Sequence, residues 1–539
     1  MAENIKILDC TLRDGGYYNS WDFDHSIVSN YLKELSESKV DVIELGFRFL
    51  PKDKFLGPFA YTTDLFLETL NLPEDIKYGV MINAAEYLST EDPVKAIKKY
   101  FNHSNKSKIS LVRVAINFDD FSQAKILTET LNGLGYQVGL NLMQAHEKEE
   151  KLYTKTASKI KEWNLVDVLY FADSFGSMEP DEIEKIISLI RKAWDGDLGI
   201  HTHDNKGFGL INSMKAISSG ANWIDCTIKG MGRGAGNTST ENLQLELNGI
   251  NLHAGDPLKL QKTRKNFEIL HEEYKWGKNM FYQFAANNSI HPTYVQTLMN
   301  DARYDEDQIF DILQSLARKT SSSFNEDKLK EAIYVESSNS YKGSWDPSGW
   351  MKGKRVLLIG AGGSVKKYKD YLIKLAEEDA VEVFFLNINN FLPNDIATAT
   401  IVSHVSRAVL DLSFYDKLEM PLILPFDRLK NLIDNTKDME ILDYGLILEK
   451  NKFEFEKTFC RLDSPLVSAY ALGIMYLAEA KEIYLAGFDG YDLGDDRNDE
   501  MEEMLKKYQK LKGHPKITSL TPTSYINLDK SSLFSPAIL

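Results

Sequence analysis

The sequence predicts an α/β protein in two parts, a closed barrel of eight strand-helix units followed by an open, doubly wound parallel sheet. Three observations carry this. Eight short β-branched runs recur between residues 5 and 230, alternating with amphipathic segments. The strand pattern then stops after residue 250 and gives way to helical periodicity. It resumes at RVLLIGAGGSV, where a new series begins. Runs that are apolar at every position suit strands buried on both faces, as in parallel sheets.

The first series reads IKILDC, VDVIELGF, YGVMIN, ISLVRVAIN, YQVGLNLM, VDVLYFAD, LGIHTH and WIDCTIKG, beginning near residues 5, 40, 78, 109, 136, 166, 198 and 223. Between them, segments such as DHSIVSNYLKELSES and EPDEIEKIISLIRKAW place apolar residues three and four apart, as helices packed on a sheet require. Eight such units across residues 1–250 is the TIM-barrel count. Over 251–318, LQKTRKNFEILHEEY, FYQFAANNS and DEDQIFDILQSLARK read as a helical appendix that closes the barrel mouth or mediates association, and a homo-oligomer is the expectation. The serine-rich, charged stretch 319–354 reads as a linker. In 355–539, RVLLIGAGGSV, VEVFFLN, ATIVSHV, PLILPF, YGLILE and KEIYLAGFDG are the strand candidates of a Rossmann-like domain.

Composition narrows the function classes. A chain of 539 residues exceeds what one core organises, and its 43% apolar content supports folded domains throughout. Seventy-nine acidic against 63 basic residues, a net charge of −16, disfavour broad adhesion to nucleic acid or anionic membrane, so small molecules are the expected partners. MAENIKILDCTLRD has neither the basic flank nor the apolar stretch of a signal peptide, and no run is long enough to span a bilayer, so a cytoplasmic location is expected. Cys10, Cys226 and Cys460 are spaced neither as zinc ligands nor as a disulfide framework and read as small buried apolar residues.

His201-Thr-His203 closes the seventh strand run. Residues two apart on a strand face one side, so both imidazoles can converge on one ion at the C-terminal mouth of a barrel. Asp14, ending the first strand segment in CTLRDGG, is the third ligand candidate, because ring closure puts strands one and seven two places apart. Two imidazoles and one carboxylate leave positions open for substrate, which suits Mn²⁺ foremost, and Mg²⁺ or Co²⁺, above a closed structural zinc. Such an ion acts as a Lewis acid. No organic cofactor is implied. Either motif alone is weak, since HxH often marks an ordinary satisfied pair and TLRDG a turn; their joint placement gives them weight.

These residues resemble the DRE-TIM metallolyases. Asp14, Arg13 and Glu44, in TLRDGG and VIELGF, match the trio that names the family. HTHDNKGFGL is similar to its HxHxNxG segment, and KGMGRGAGNTSTENL to its glycine-rich loop after strand eight. The similarity covers most of residues 1–300. The loop lacks the cysteine of the hydroxymethylglutaryl-CoA lyase branch, and its glycines continue where isopropylmalate and homocitrate synthases show ERAGN. ADSFG resembles the ADSGG of 4-hydroxy-2-oxovalerate aldolases, as does YKWGKNMFYQFAANNSIHPTYVQ.

The resemblance therefore implies a class II, metal-dependent pyruvate aldolase, a carbon-carbon lyase that forms or cleaves a 4-hydroxy-2-oxoacid from pyruvate and an aldehyde. It implies that pyruvate chelates the ion, that Arg13 shares the enolate charge, and that Glu44 fixes Arg13. Ser174 would take the pyruvate carboxylate, and Asn237 would order the loop or stand as a distant fourth ligand. The histidine base that such aldolases carry three residues after the metal aspartate is Tyr17 here. Tyr17, Tyr18, His291, Tyr294 or a water are then the candidates for moving the proton, and an aldehyde larger or more polar than acetaldehyde is expected. Competing readings on the same barrel are a Claisen-type acyl-CoA synthase or lyase and a catalytically silent sugar-phosphate-binding platform.

In the second part, Gly360, Gly362 and Gly363 follow a strand and precede a helix, where backbone amides can receive a phosphate. Val365 replaces the third fingerprint glycine, and the next strand ends in Asn387 and Asn389 with no acidic ribose ligand, so a dinucleotide reading is weak. A ligand-free glycine turn is equally open. The order GxGxS, a strand ending in Asn, then SPLVSAYALGIMYLAEAKEIYLAGFDGYD resembles the nucleotide-binding fold of bacterial sialyltransferases and DUF115-type proteins. That resemblance implies Ser364, Asn387 and Asp489 around a nucleotide or sugar phosphate, and a place for both domains in polysaccharide biosynthesis, making a surface-glycan sugar.

Overall fold

The computed structural model describes residues 5–535 apart from 147, 302–303, 305, 319–320, 327, 330–331, 334–341, 378–380, 404–419, 427–439 and 492–494. The chain divides into two compact units, one of residues 1–296 with 320–324, the other of 297–319 with 325–539.

The first unit is a closed parallel barrel. Its strands are β1 (Lys6–Asp9), β2 (Val42–Phe47), β3 (Lys77–Asn83), β4 (Leu111–Asn117), β5 (Gln137–Met143), β6 (Val168–Asp173), β7 (Asp197–Thr202) and β8 (Trp223–Cys226), hydrogen-bonded in sequence order. The last pairs back on the first, Lys6 with Trp223 through Asp9 with Cys226. The outer helices follow from sequence: Pro180–Arg191 starts on a proline with Asp181 and Glu182 in its first turn, ends on Arg191, and buries Ile183, Ile186, Ile187 and Ile190 against the strands. Inside the ring the floor is apolar, built from Leu8, Cys10, Val42, Leu111, Val168, Tyr170 and Trp223. Tyr170 fits there because β7 carries glycine opposite it; a Cβ on Gly199 would lie 2.2 Å from the ring. Above that floor the interior turns polar.

Two details place the mouth. Registered pairing of β7 with β8 ends at Ile200 and Ile224, and His201 and Thr202 on β7 and Asp225 and Cys226 on β8 run on beyond it toward the mouth. Arg13 and Asp14 lie not on a strand end, as the sequence predicts, but on a helical turn, Thr11–Asp14, that follows β1. Asp9 forces this break: its Oδ1 accepts from the Thr11 amide (2.9 Å) and hydroxyl (2.6 Å), and the backbone turns around it. Beyond the barrel come helices Gln261–Tyr274, Met280–Asn287, Pro292–Asn300 and Glu306–Ala317.

The second unit holds an eight-stranded sheet, parallel at every pairing. It comprises β9 (Arg355–Ile359), β10 (Glu382–Leu386), β11 (Ala399–Ile401), β12 (Leu422–Leu424), β13 (Ile441–Asp443) and, after a small separate sheet of β14 (Gly445–Leu448), β15 (Phe453–Glu456) and β16 (Phe459–Leu462), also β17 (Glu482–Ala486), β18 (Lys516–Ser519) and β19 (Asp529–Lys530). The order 13-12-11-10-9-17-18-19 reverses direction between β9 and β17. YGLILE is expected in this sheet but forms β14 of the small one, paired parallel with β16. The chain turns at Tyr444, whose hydroxyl donates to the Glu456 and Phe459 carbonyls, and the three-residue ILD takes the edge of the main sheet instead. Within the stretch expected to be a linker, Trp345, Trp350 and Met351 pack on the core of this unit, while 334–341 lie outside the described residues. Among the described residues no helix is long and apolar enough to cross a membrane.

Candidate active site

At the barrel mouth Nε2 of His201 and Nε2 of His203 each stand 3.8 Å from Oδ2 of Asp14. Their outer nitrogens are tied down. Nδ1 of His203 donates to the Asp173 carbonyl at the end of β6 (2.8 Å), and Nδ1 of His201 meets Oδ2 of Asp225 on β8 (2.9 Å). Both partners accept hydrogens, so each Nε2 turns a lone pair inward. Three electron-rich atoms thus face one another too far apart for hydrogen bonds and close enough to share one cation. All three residues are at most 5% exposed. Burial and the neighbouring His201 push the His203 pKa down to about 3, which keeps it neutral. Burial alone would raise the Asp14 carboxyl, but Arg13, both histidines and Asn237 hold it well below the usual carboxylate range. The donor set therefore fits a divalent ion. A second grouping, Cys10, His201 and Asp225, does not. Burial pushes the Cys10 thiol far up, so it stays protonated on the Cys226 carbonyl, and Oδ2 of Asp225 is taken by Arg113 and His201.

Arg13 stands beside this triad. Its Nε donates to Oε2 of Glu44 (2.9 Å) and its Nη1 to Oδ1 of Asp14 (2.5 Å), while Nη2 is buried with no hydrogen-bond partner. Glu44, on β2, is held in turn by Arg113 of β4, through Nε to Oε1 (2.8 Å) and Nη2 to Oε2 (2.7 Å). The third face of that guanidinium, Nη1, reaches Oδ2 of Asp225 (2.6 Å), the same oxygen that orients His201. One chain of charge-assisted bonds therefore links Arg13 to His201 across the barrel. Sequence reasoning singled out neither Arg113 nor Asp225. A signal existed: an arginine centred in LVRVAIN and an aspartate in WIDC must both lie in a buried strand, where a charge needs a partner.

The loop after β8 closes over the triad. Asn237 donates through Nδ2 to Oδ2 of Asp14 (2.6 Å), and its backbone bridges to His203. Its Oδ1 is buried without a partner. The backbone at Gly232 passes so near that a Cβ there would lie 2.4 Å from Nδ2 of Asn237 and 2.7 Å from Oδ2 of Asp14. Arg233 comes next, its guanidinium 5.4 Å above the Tyr17 ring. Tyr17 also packs on Trp21 and Phe47. The Tyr18 hydroxyl donates to the Gly234 carbonyl (2.9 Å). His291 is drawn toward the same place: burial, with Arg233 and His203 nearby, pushes its pKa down to about 3. Tyr294 is fully buried, and its hydroxyl donates to the Ser323 carbonyl (3.1 Å). Oγ of Ser174 accepts from the Gln144 amide (2.9 Å), so it pins the loop after β5, where Gln144 is left-handed (φ 54°).

In the second unit Gly360, Gly362 and Gly363 follow β9 as a turn, and the helix they open, Gly363–Lys367, is a single turn and a half. A Cβ on Gly362 would lie 2.6 Å from Cγ of Asp489 and 2.7 Å from the Gly487 carbonyl. Oδ2 of Asp489 accepts from the Ser364 amide (2.8 Å) and Oδ1 from its hydroxyl. The carboxylate thus ties the turn after β9 to the segment after β17. Asn387, at the end of β10, is left-handed (φ 61°) with a buried, unpartnered Oδ1.

The profile of the HMGL-like family matches residues 95–269. The "4-hydroxy-2-oxovalerate aldolase" of Geobacillus genomosp. 3 is 31% identical over 257 residues, 47% of this chain and 72% of that protein. "4-hydroxy-2-oxovalerate aldolase 2" of Rhodococcus jostii (strain RHA1) is 29% identical over 243 residues, 45% of this chain and 68% of its own. The carboxyl transferase domain of Rhizobium etli pyruvate carboxylase superposes with a TM-score of 0.51 at 15% identity, covering 62% of this chain and 61% of that one, a likeness of fold alone. Sequence match, barrel and charged mouth agree: through its N-terminal half the chain belongs to the HMGL-like family, the DRE-TIM metallolyases.

Proposed function

We propose that the first unit is a class II aldolase that forms or cleaves a 4-hydroxy-2-oxoacid through the enolate of pyruvate, with an aldehyde as the other partner. The observation that carries this is the convergence of Asp14, His201 and His203 beside a buried arginine with one unpartnered nitrogen. A divalent cation held by those three residues, Mn²⁺ foremost and Mg²⁺ or Co²⁺ as substitutes, supplies Lewis acidity to a 2-oxoacid carbonyl.

The chain's own residues do the rest. Nη2 of Arg13 donates to the oxygen that gains charge on enolisation; Glu44 and Asp14 hold the other two nitrogens, so the guanidinium needs no reorganisation. The Ser174 hydroxyl, fixed as acceptor for Gln144, keeps its own proton for the pyruvate carboxylate. His291 takes the aldol hydroxyl proton in cleavage, since it lies beside Arg233 and His203 at the mouth while the Tyr18 and Tyr294 hydroxyls are engaged with carbonyls. For the second unit we propose that Asp489 and Ser364 lock the loops after β9 and β17 together, rather than receive a nucleotide.

The test is proton exchange. Protein with Mn²⁺ and pyruvate in D₂O is expected to deuterate the methyl group, with EDTA abolishing the exchange. Acetyl-CoA turnover without exchange would overturn the aldolase reading in favour of an acyl-CoA synthase, and neither activity would leave a silent platform. A panel of nucleotides and sugar nucleotides is expected to leave the melting of the full chain unchanged; a shift with CMP would overturn the lock.

A further inference from the structure

Arg233 stands apart from every other charge at the barrel mouth. Arg13 and Arg113 are tied to Asp14, Glu44 and Asp225, so the buried charges beneath are engaged with one another. Arg233 has no carboxylate within ion-pair distance among the described residues, and its Nε is buried with no hydrogen-bond partner. The residue is half-buried. Its place is fixed from both sides: Gly232 is pressed against Asp14 and Asn237, and the Gly234 carbonyl receives the Tyr18 hydroxyl. The guanidinium lies over the Tyr17 ring, 5.4 Å from its centre, a stacking that orients it without neutralising it. Gly232 lies against Asp14 and Gly234 against Pro292, the chain neighbour of His291, which puts Arg233 between them at the mouth.

An unpaired, partly desolvated guanidinium beside a reaction centre disfavours an apolar ligand and favours an anion that can complete its hydrogen bonds. Pyruvate does not serve, because on the reading above its carboxylate is taken by Ser174 and by the cation that Asp14, His201 and His203 would hold. We propose that Arg233 receives an anionic group, a carboxylate or phosphate, on the acceptor aldehyde, so that the second substrate is an acidic aldehyde. This rests on the aldolase reading and names the partner that reading leaves open. The stacked Tyr17 then acts as the wall that aims the guanidinium.

The test uses the full chain with Mn²⁺ and pyruvate. Succinic semialdehyde, glyoxylate and glyceraldehyde 3-phosphate are compared with propionaldehyde, acetaldehyde and glyceraldehyde, and the quantity read is the ratio of kcat/KM for each acid to that for its neutral counterpart. The acids are expected to be preferred by about tenfold or more, and which of carboxylate or phosphate gives the larger ratio identifies the group. In Arg233→Met the ratio falls by about tenfold or more, to near unity, and Arg233→Lys recovers part of it, which a variant that had merely lost structure would not do. Equal turnover of acidic and neutral aldehydes by the unaltered protein, or a ratio unmoved in Arg233→Met, overturns this proposal alone. Failure of the unaltered protein to exchange the pyruvate methyl protons overturns the aldolase reading itself, so the two failures are told apart.

Discussion

At the scale of single residues, charge and protonation decide what the mouth can do. Arg13 offers one unanchored nitrogen, and removing it leaves Glu44 partly unpaired as well. Arg13→Ala is expected to slow pyruvate methyl exchange by about a thousandfold, as loss of a pre-oriented donor does, with Mn²⁺ binding by calorimetry changed far less. His291 gives a pH signature. Its folded pKa of about 3 lies below the unfolded value of about 6.5, so below pH 6.5 the unfolded chain takes up a proton that the folded one refuses, and stability is lost as pH falls toward 3. Asp9 works in the opposite sense: burial raises it to about 6, so between pH 6 and about 4 the folded state holds the extra proton and gains stability on acidification. Other buried groups titrate in the same range, among them Asp173, raised to about 7, and His203, lowered to about 3, so the share of His291 is read as the difference between His291→Gln and the unaltered protein. The variant's melting temperature relative to the unaltered protein, in EDTA, is expected to rise between pH 7 and pH 5 by the equivalent of about 2 kcal/mol. A constant difference would sink the assignment.

At the scale of elements, strands place the charges and the loop after β8 closes over them. Arg113 bridges β2, β4 and β8 through Glu44 and Asp225, all fully desolvated. Arg113→Met leaves both carboxylates without that partner and is expected to destabilise the barrel by about 3–5 kcal/mol, measurable by urea unfolding. The loop is more selective. In Gly232→Ala the added methyl meets Asn237 and Asp14, so Mn²⁺ affinity is expected to drop at least tenfold while the far-ultraviolet circular dichroism holds; unchanged affinity would show that the loop yields without touching the triad. Long apolar runs made the eight barrel strands legible within a few residues of where they start. Short elements were not. KITS, FEFE and ILD are three or four residues each, below the length at which alternation can be told from loop, so β13, β15 and β18 escaped notice and YGLILE was assigned to the wrong sheet.

At the scale of the whole molecule, two units with separate cores predict two events in calorimetry. Mn²⁺ with pyruvate at a hundredfold excess over Kd is expected to stabilise one transition by about 2.7 kcal/mol and leave the other in place. A uniform shift of both would count against independent units. The convergence of Asp14 with His201 and His203 was legible because a strand fixes which side chains share a face and a closed ring fixes which strands are near neighbours. What escaped was the support beneath: pairing between Arg113 and Asp225 spans 112 positions, and no local pattern records it. The same separation governs assembly. Asp14 leaves the ribosome long before His201 and His203, and no shorter stretch of chain offers all three ligands. On the proposed function, capture of a cation by all three ligands together must therefore await the closing of the ring, which makes loading a late event in biogenesis.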